Sequence, residues 1–199
     1  MTFKDMKYQL IVDKVTDIFL EKGINEVTIK DVAQAVSLGE ATIYRYFSKK
    51  ENLVVEVATR LEEMIINEYF KVDDRLNGCD TINSFYNSFL KVFIERREFY
   101  RFISEFDNFI MNKECQLEEY EHKMGAFYKL FIDGYNKGLL DGSVKTIEDI
   151  NDFYFTTTHA LMGLCKKLAS DDILKQDESI DKEKEIKLLI GIIMISLKR

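Results

Sequence analysis

Residues 28–53 read TIKDVAQAVSLGEATIYRYFSKKENL, and the order of caps, breaks and apolar positions in this stretch decides the fold. Thr28 followed three residues later by Asp31 is a capping-box-like helix start, with Asp in the place of the usual Glu or Gln. Ile29, Val32, Ala33 and Val36 then share the buried face of a short helix. Ser37, Leu38 and Gly39 break it. The next helix turns Ile43 and Phe47 inward, projects Ala41, Thr42 and Arg45 from the opposite side, and carries Tyr44 on its flank. Two short helices across a tight turn form the helix-turn-helix plan, whose second helix enters the major groove of DNA.

Outward from this stretch the pattern stays helical. Upstream, Ile11, Val15, Ile18 and Phe19 recur at the spacing of one helix face, and Gly23 stands where a left-handed C-terminal cap is wanted. Downstream, Leu53, Val57, Leu61, Met64 and Ile65 continue a long fourth helix, the mechanical link out of the head. The expected division is therefore a DNA-binding domain over 1–52 and a larger helical domain over 53–199.

The quoted stretch resembles the tetracycline-repressor (TetR) family of bacterial regulators from that family's second helix into its fourth. Ala33, the run Thr42-Ile-Tyr-Arg-Tyr-Phe47 and the Lys50-Glu-x-Leu53 pattern carry the likeness, and Phe19 to Gly23 resembles the end of the family's first helix. Two positions depart from it: Ser37 replaces the common turn glycine, and Gly39 replaces the usual Ser cap of the recognition helix. The resemblance implies an all-α protein of about nine helices, an N-terminal three-helix head followed by a helical bundle. It also implies that Thr42, Tyr44 and Arg45 face DNA. A guanidinium donates two parallel hydrogen bonds to guanine O6 and N7, so Arg45 is the candidate base reader. A tyrosine hydroxyl bonds phosphate without reading sequence, which suits Tyr44 and Tyr46. Tyr46 has a second reading, packing against the first helix. Thr28 and Lys50 begin the second and fourth helices, where free backbone N–H groups favour an anion, so both are expected to position the DNA backbone. Lys49 reads as a solvated charge, and Glu40, which would repel phosphate, as a residue that caps or orients a neighbour.

Charge is distributed in keeping with this. The chain has a net charge of −7, yet residues 1–52 hold eight basic and eight acidic side chains, and the excess negative charge lies beyond them. A neutral head can approach phosphate while an acidic body stays away. Proline is absent and glycine numbers only 9, so the punctuation of a hairpin-rich fold is missing. Cys79, Cys115 and Cys165 are odd in number and far apart, so neither a disulfide framework nor a CxxC pair is suggested, and a reducing, cytoplasmic setting is the plain reading. No signal-peptide pattern opens the sequence, and the longest apolar run, Leu188 to Ile195, is far shorter than the roughly 20 residues of a membrane span.

Beyond the head, Phe85, Phe89 and Phe93 mark a fifth helix after a polar break over 71–80, and Phe99, Phe102, Ile103, Phe106 and Ile110 a sixth. Leu117, Tyr120, Met124, Phe127, Tyr128, Phe131 and Tyr135 mark a seventh, closed by Gly138. Sixteen of the 25 Phe and Tyr residues fall between Tyr69 and Tyr135. Aromatic bulk is what a bundle core needs; in the region where TetR-like proteins enclose an effector it also suggests an apolar pocket. Phe89, Phe93, Phe106, Phe127, Tyr128 and Phe131 are the candidate lining, with Asn108 and His122 as further polar anchors. Thr146 and Asp149 read as the capping-box start of an eighth helix, which is followed by a polar loop from Ser170 to Lys182. The last helix is apolar nearly all round and so needs burial on more than one side. TetR-like proteins dimerise through their last two helices, which singles out Leu161, Leu164, Leu189, Ile192 and Ile193.

These readings converge on a sequence-specific, homodimeric, DNA-binding repressor released from double-stranded operator DNA by a small apolar or aromatic molecule. The alternative is a ligand-independent DNA-binding dimer controlled by a protein partner. An enzyme fits poorly: His122 and His159 lie in separate helices outside any metal-binding spacing, and no Gly-rich phosphate loop or Ser-His-Asp order occurs. No cofactor, metal or catalytic residue is implied.

Overall fold

The computed structural model describes residues 2–170, 179 and 181–199. The polar loop expected between Ser170 and Lys182 falls for the most part outside them. Among the described residues there are nine helices: α1 (Phe3–Lys22), α2 (Ile29–Ala35), α3 (Glu40–Phe47), α4 (Lys50–Tyr69), α5 (Gly78–Glu95), α6 (Arg97–Ile110), α7 (Glu118–Asp141), α8 (Ile150–Ala169) and α9 (Lys182–Leu197). An isolated antiparallel bridge, Val144 to Lys198, is the extended pairing seen among them. The all-α expectation holds.

The chain divides into two compact units, residues 1–64 with 101–123, and residues 65–100 with 124–199. The cut at 52/53 expected from sequence differs from this, and the reason is burial. Leu53, Val54, Val57, Ala58 and Leu61 of α4 are closed off from solvent, as are Phe102, Ile103 and Phe106 of α6. Three short helices cannot cover their own apolar faces. Ile11, Val15 and Phe19 of α1, Val32 of α2, and Ile43 and Phe47 of α3 therefore share one core with those residues. Each such side chain contributes about 1.5–3 kcal/mol by leaving water.

Helix ends follow local chemistry. Thr28 caps α2 as expected: its hydroxyl accepts the Asp31 N–H at 3.2 Å while the Asp31 carboxylate accepts the Thr28 N–H at 2.8 Å. At α8 the expectation is corrected. The cap is Asp149, whose carboxylate accepts the N–H groups of Asn151 and Asp152, and the residues after Thr146 are tied down elsewhere, the Ile147 N–H donating to the Tyr135 hydroxyl. Gly138 does not end α7, which runs on to Asp141, with Gly142 at φ +75° following it. Gly138 serves packing instead: a Cβ built on Gly78 at the start of α5 would lie 1.9 Å from the Gly138 backbone nitrogen. Only two bare backbones approach that closely.

The second unit packs α5 against α8 and α9, with α8 against α9. Its centre is a set of edge-to-face rings around Phe85, whose centroid lies 5.4 Å from that of Phe70, 5.6 Å from that of Phe89 and 5.8 Å from that of Phe131. Two buried tyrosines complete it with satisfied hydroxyls. Tyr100 donates to the Phe89 carbonyl, and Tyr86 shares a hydrogen bond with Thr157.

Candidate nucleic-acid interface

The turn between α2 and α3 is a Schellman motif built on a serine. The Leu38 N–H donates to the Ala33 carbonyl at 2.9 Å and the Ser37 N–H to the Gln34 carbonyl at 3.1 Å, with Ser37 at φ +54°. Glycine is the usual occupant of that left-handed position. Gly39 then caps α3 with extended backbone and no side-chain hydrogen bond, and a Cβ there would meet nothing within 4 Å. The far end of α3 is equally sharp. Ser48 has φ +63° and ψ −43°, and the Lys49 N–H donates to the Phe47 carbonyl at 2.6 Å, which makes a γ-turn of the rarer hand.

Between these joints, α3 buries Ile43 and Phe47 and exposes Glu40, Ala41, Tyr44 and Arg45. Thr42 is half-buried. Arg45 has its guanidinium 6.0 Å from the Tyr46 ring, so it is steadied on its stem while its donors face outward. Tyr46 is half-buried, its ring 6.3 Å from that of Tyr8 on α1, in line with its packing reading. Thr28 is exposed, but its hydroxyl also donates to Asp31 at 2.6 Å, so the capping box occupies it. These hydrogen bonds from Thr28 hold the Asp31 carboxyl below the ordinary carboxylate range.

Lys50 departs from the expectation. Its ammonium donates to the Ile24 carbonyl at 2.6 Å and lies 5.3 Å from the centre of the Phe109 ring. Burial, reinforced by nearby Lys113, draws it below the ordinary lysine range. A cation committed to a carbonyl inside the head is not presented to phosphate. Lys49 is not a free solvated charge either, since its ammonium donates to the Glu114 carbonyl. The reach of a lysine stem makes both arrangements possible, and helical spacing alone carries no trace of them.

The expected effector lining is distributed differently from the sequence reading. Phe89, Phe93, Phe127 and Phe131 are buried in the second unit, and Phe106 in the first, where its ring lies 5.1 Å from that of Tyr120. Tyr128 is half-buried and its hydroxyl donates to Asn151. Asn108 bonds the Ser104 carbonyl of its own helix, and His122 is exposed. A hollow in the second unit, bordered by Phe70, Lys71, Leu76, Thr81 and Ser84, has a volume of about 20 Å³, room for one water. Beside it an open groove of about 540 Å³ runs along Ile66, Phe70, Val72, Ala126 and Leu130. Neither is lined by the six aromatic candidates, five of which are buried.

The last two helices leave an apolar face uncovered. Leu188, Ile192 and Ile195 are 64%, 55% and 76% exposed at i, i+4, i+7 on α9, with Phe155 of α8 half-exposed. Leu161 and Ile193, expected at an interface, are instead buried within the chain, and Leu164 and Leu189 are half-buried. The helix is apolar all round, so periodicity alone could not say which side faces inward; only Ile192 of the five is fully on the outer face.

A buried-Ile/Phe recognition helix, joined through a tight turn to a capped α2 and seated on α1 and α4, defines a helix-turn-helix DNA-binding protein. Residues 11–57 match the family described as bacterial regulatory proteins, tetR family. The chain is 28% identical over 72 residues to the HTH-type transcriptional regulator YvdT of Bacillus subtilis (strain 168), a stretch spanning 36% of each chain. It is 22% identical over 139 residues to the HTH-type transcriptional repressor KstR2 of Mycolicibacterium smegmatis, covering 69% of this chain and 67% of that one. The solved ketosteroid transcriptional regulator KstR2 of Mycobacterium tuberculosis superposes with a TM-score of 0.62 at 13% identity, over 96% of this chain and 94% of that one. Residues 11–57 thus carry a tetR-family DNA-binding region, and the chain shares its fold with TetR-type transcriptional regulators. No helix among its described residues is long and apolar enough to cross a membrane.

Proposed function

We propose that the protein is a homodimeric repressor that places two copies of α3 on a two-fold symmetric operator and is released by a small amphipathic molecule. The observation that carries this reading is α3 itself: Ile43 and Phe47 are buried while Tyr44 and Arg45 stand free on the opposite face. Arg45 reads a base edge; Tyr44 and Thr42 meet the sugar-phosphate backbone. The uncovered Leu188, Ile192 and Ile195 supply the contact between subunits, and an isologous pairing there would present two recognition helices to one DNA face. Likeness to the M. smegmatis repressor supports repression over activation. The open groove along Phe70, Val72 and Leu130 supports an effector with an apolar body.

The close ring-on-ring packing around Phe85 favours a second reading, in which no ligand is bound and a protein partner controls the dimer. Selection of duplexes from a random library, followed by binding titration and sedimentation, tests the first part. A two-fold symmetric consensus bound by a dimer is the expected result, and a monomer with no selected sequence defeats it. Screening the complex for compounds that dissociate it separates the two modes of control. A hundredfold release requires about 2.7 kcal/mol of differential binding between the two states.

A further inference from the structure

We propose that Glu105 on α6 is a positioning residue for DNA recognition: its carboxylate grips the corner between α1 and α2 and thereby fixes the attitude of α3. This rests on the DNA-binding reading and extends it to a residue outside the helix-turn-helix. At the end of α1, Gly23 adopts φ +84° and ψ 158°, not the left-handed helical cap expected from sequence but a conformation that glycine alone adopts readily. The Gly23 N–H closes the helix on Phe19, and the chain then turns so that the next N–H, of Ile24, has no helical acceptor. The Glu105 carboxylate accepts it at 2.6 Å.

The fit is built from both sides. A Cβ at Gly23 would lie 2.8 and 2.9 Å from the two Glu105 oxygens, so the missing side chain is what admits the carboxylate. The carbonyl of the same residue, Ile24, accepts from Lys50 at 2.6 Å. One residue is thus held on both sides, its N–H from α6 and its C=O from α4. Ile24 and Val27 are fully buried, and the capping box at Thr28 begins one residue beyond Val27, so the corner passes its orientation straight into α2. Nearby contacts secure this end of α6: Lys113 sits 3.2 Å over the Phe109 ring and pairs with Glu51 at 3.5 Å. A shift of this part of α6 is therefore felt at the corner through a charge-assisted hydrogen bond, one of the stronger kinds.

The test compares wild type, Glu105→Ala and Glu105→Gln on a duplex selected from a random library by the wild-type protein. Glu105→Ala is expected to weaken binding about tenfold, the loss of one charge-assisted bond. Base preference and salt slope should stay as in wild type, because no DNA contact is removed. Amide exchange at Ile24 should quicken while the amides of α5 and α8 keep their protection, and Glu105→Gln, whose amide oxygen still accepts, should recover most of the affinity. Wild-type affinity in Glu105→Ala, or Ile24 exchange no faster than before, overturns the clasp. So does a Glu105→Gln protein as impaired as Glu105→Ala, which would reduce the residue to general stability. A wild-type protein that selects no duplex sinks the DNA-binding reading itself, while the exchange measurement still decides whether the corner is held.

Discussion

Replacing Ser37 with glycine should stabilise this protein. Ser37 occupies the left-handed position of the Schellman turn between α2 and α3, with φ +54°, and its side chain is exposed. An L-residue with a Cβ there costs about 1–2 kcal/mol relative to glycine. Glycine takes back about 0.5–1 kcal/mol through the larger freedom of its unfolded chain. The net gain for Ser37→Gly is about 0.5–1 kcal/mol, which raises the melting temperature of a chain of this size by about 1–4 °C. Ser37→Ala is the control, since it removes the hydroxyl and keeps the Cβ, and it should stay within about 0.5 kcal/mol of wild type. Denaturant midpoints measured at equal protein concentration decide the matter, because in the proposed dimer apparent stability shifts with concentration. A Ser37→Gly protein that is less stable than wild type, or no more stable than Ser37→Ala, would show that the turn stores no backbone strain and that the serine is there for some other contact.

Arg45→Ala should relax base preference at one position per half-site, read by binding to single-base operator variants, with stability within about 0.5 kcal/mol of wild type. Lys50→Ala should instead cost about 1–2 kcal/mol of stability, read from its denaturant midpoint, because its bond to the Ile24 carbonyl is lost; an unchanged midpoint with a salt slope lower by about one would return Lys50 to phosphate binding. Leu188→Glu with Ile195→Glu should yield folded monomers by sedimentation, whereas Leu161→Ala should cost about 2–5 kcal/mol and leave the association surface intact. Half-buried Cys115 should react first with a thiol reagent, and buried Cys79 and Cys165 only on unfolding. Burial pushes the Cys165 thiol up to about 12 from 9.0, so the folded state keeps a proton that the unfolded state releases. Stability is therefore unaffected by this group below pH 9 and falls as pH rises beyond it, by about 1.4 kcal/mol per pH unit, a contribution that Cys165→Ala should subtract from the alkaline slope.

Where one residue type at one position has one physical use, the sequence was readable. Thr28 with Asp31 can hardly do anything but cap α2, and Ile43 with Phe47 fix which side of α3 is hidden. The same reasoning missed wherever a side chain is long or a helix has no polar face. Lys50 stands at a helix start in the sequence, but its four-carbon stem carries the charge back to Ile24, and nothing in the local pattern marks the destination. In α9, Ile192 and Ile193 are equal in hydrophobicity and adjacent in sequence, yet one is exposed and the other buried; the phase is set by contact with α5 and α8, which are distant in sequence. The Phe85–Phe89–Phe131 cluster shows the same limit, since aromatic spacing that fills a core is identical to spacing that lines a cavity. Asp149 displaced Thr146 as the cap of α8 because the Tyr135 hydroxyl, eleven residues upstream of Thr146, claims the intervening backbone at Ile147.

Three non-glycine residues among those described have positive φ: Ser37, Ser48 and Asn112. Two of the three bracket α3. A recognition helix of 8 residues is too short to hold itself in place, so its orientation comes from its two joints and from Ile43 and Phe47 beneath it. Strained joints persist only when the surrounding packing over-determines them. Here that packing is the shared core of α1, α4 and α6 together with Ile24, whose N–H and C=O are both held. Relieving the strain at Ser37 and loosening the grip of Glu105 should therefore act in opposite senses on stability while both lower operator affinity. Combining Ser37→Gly with Glu105→Ala should restore the midpoint toward wild type without restoring operator affinity. Recovery of both together would mean that affinity follows global stability alone and that the joints have no part in aiming the helix.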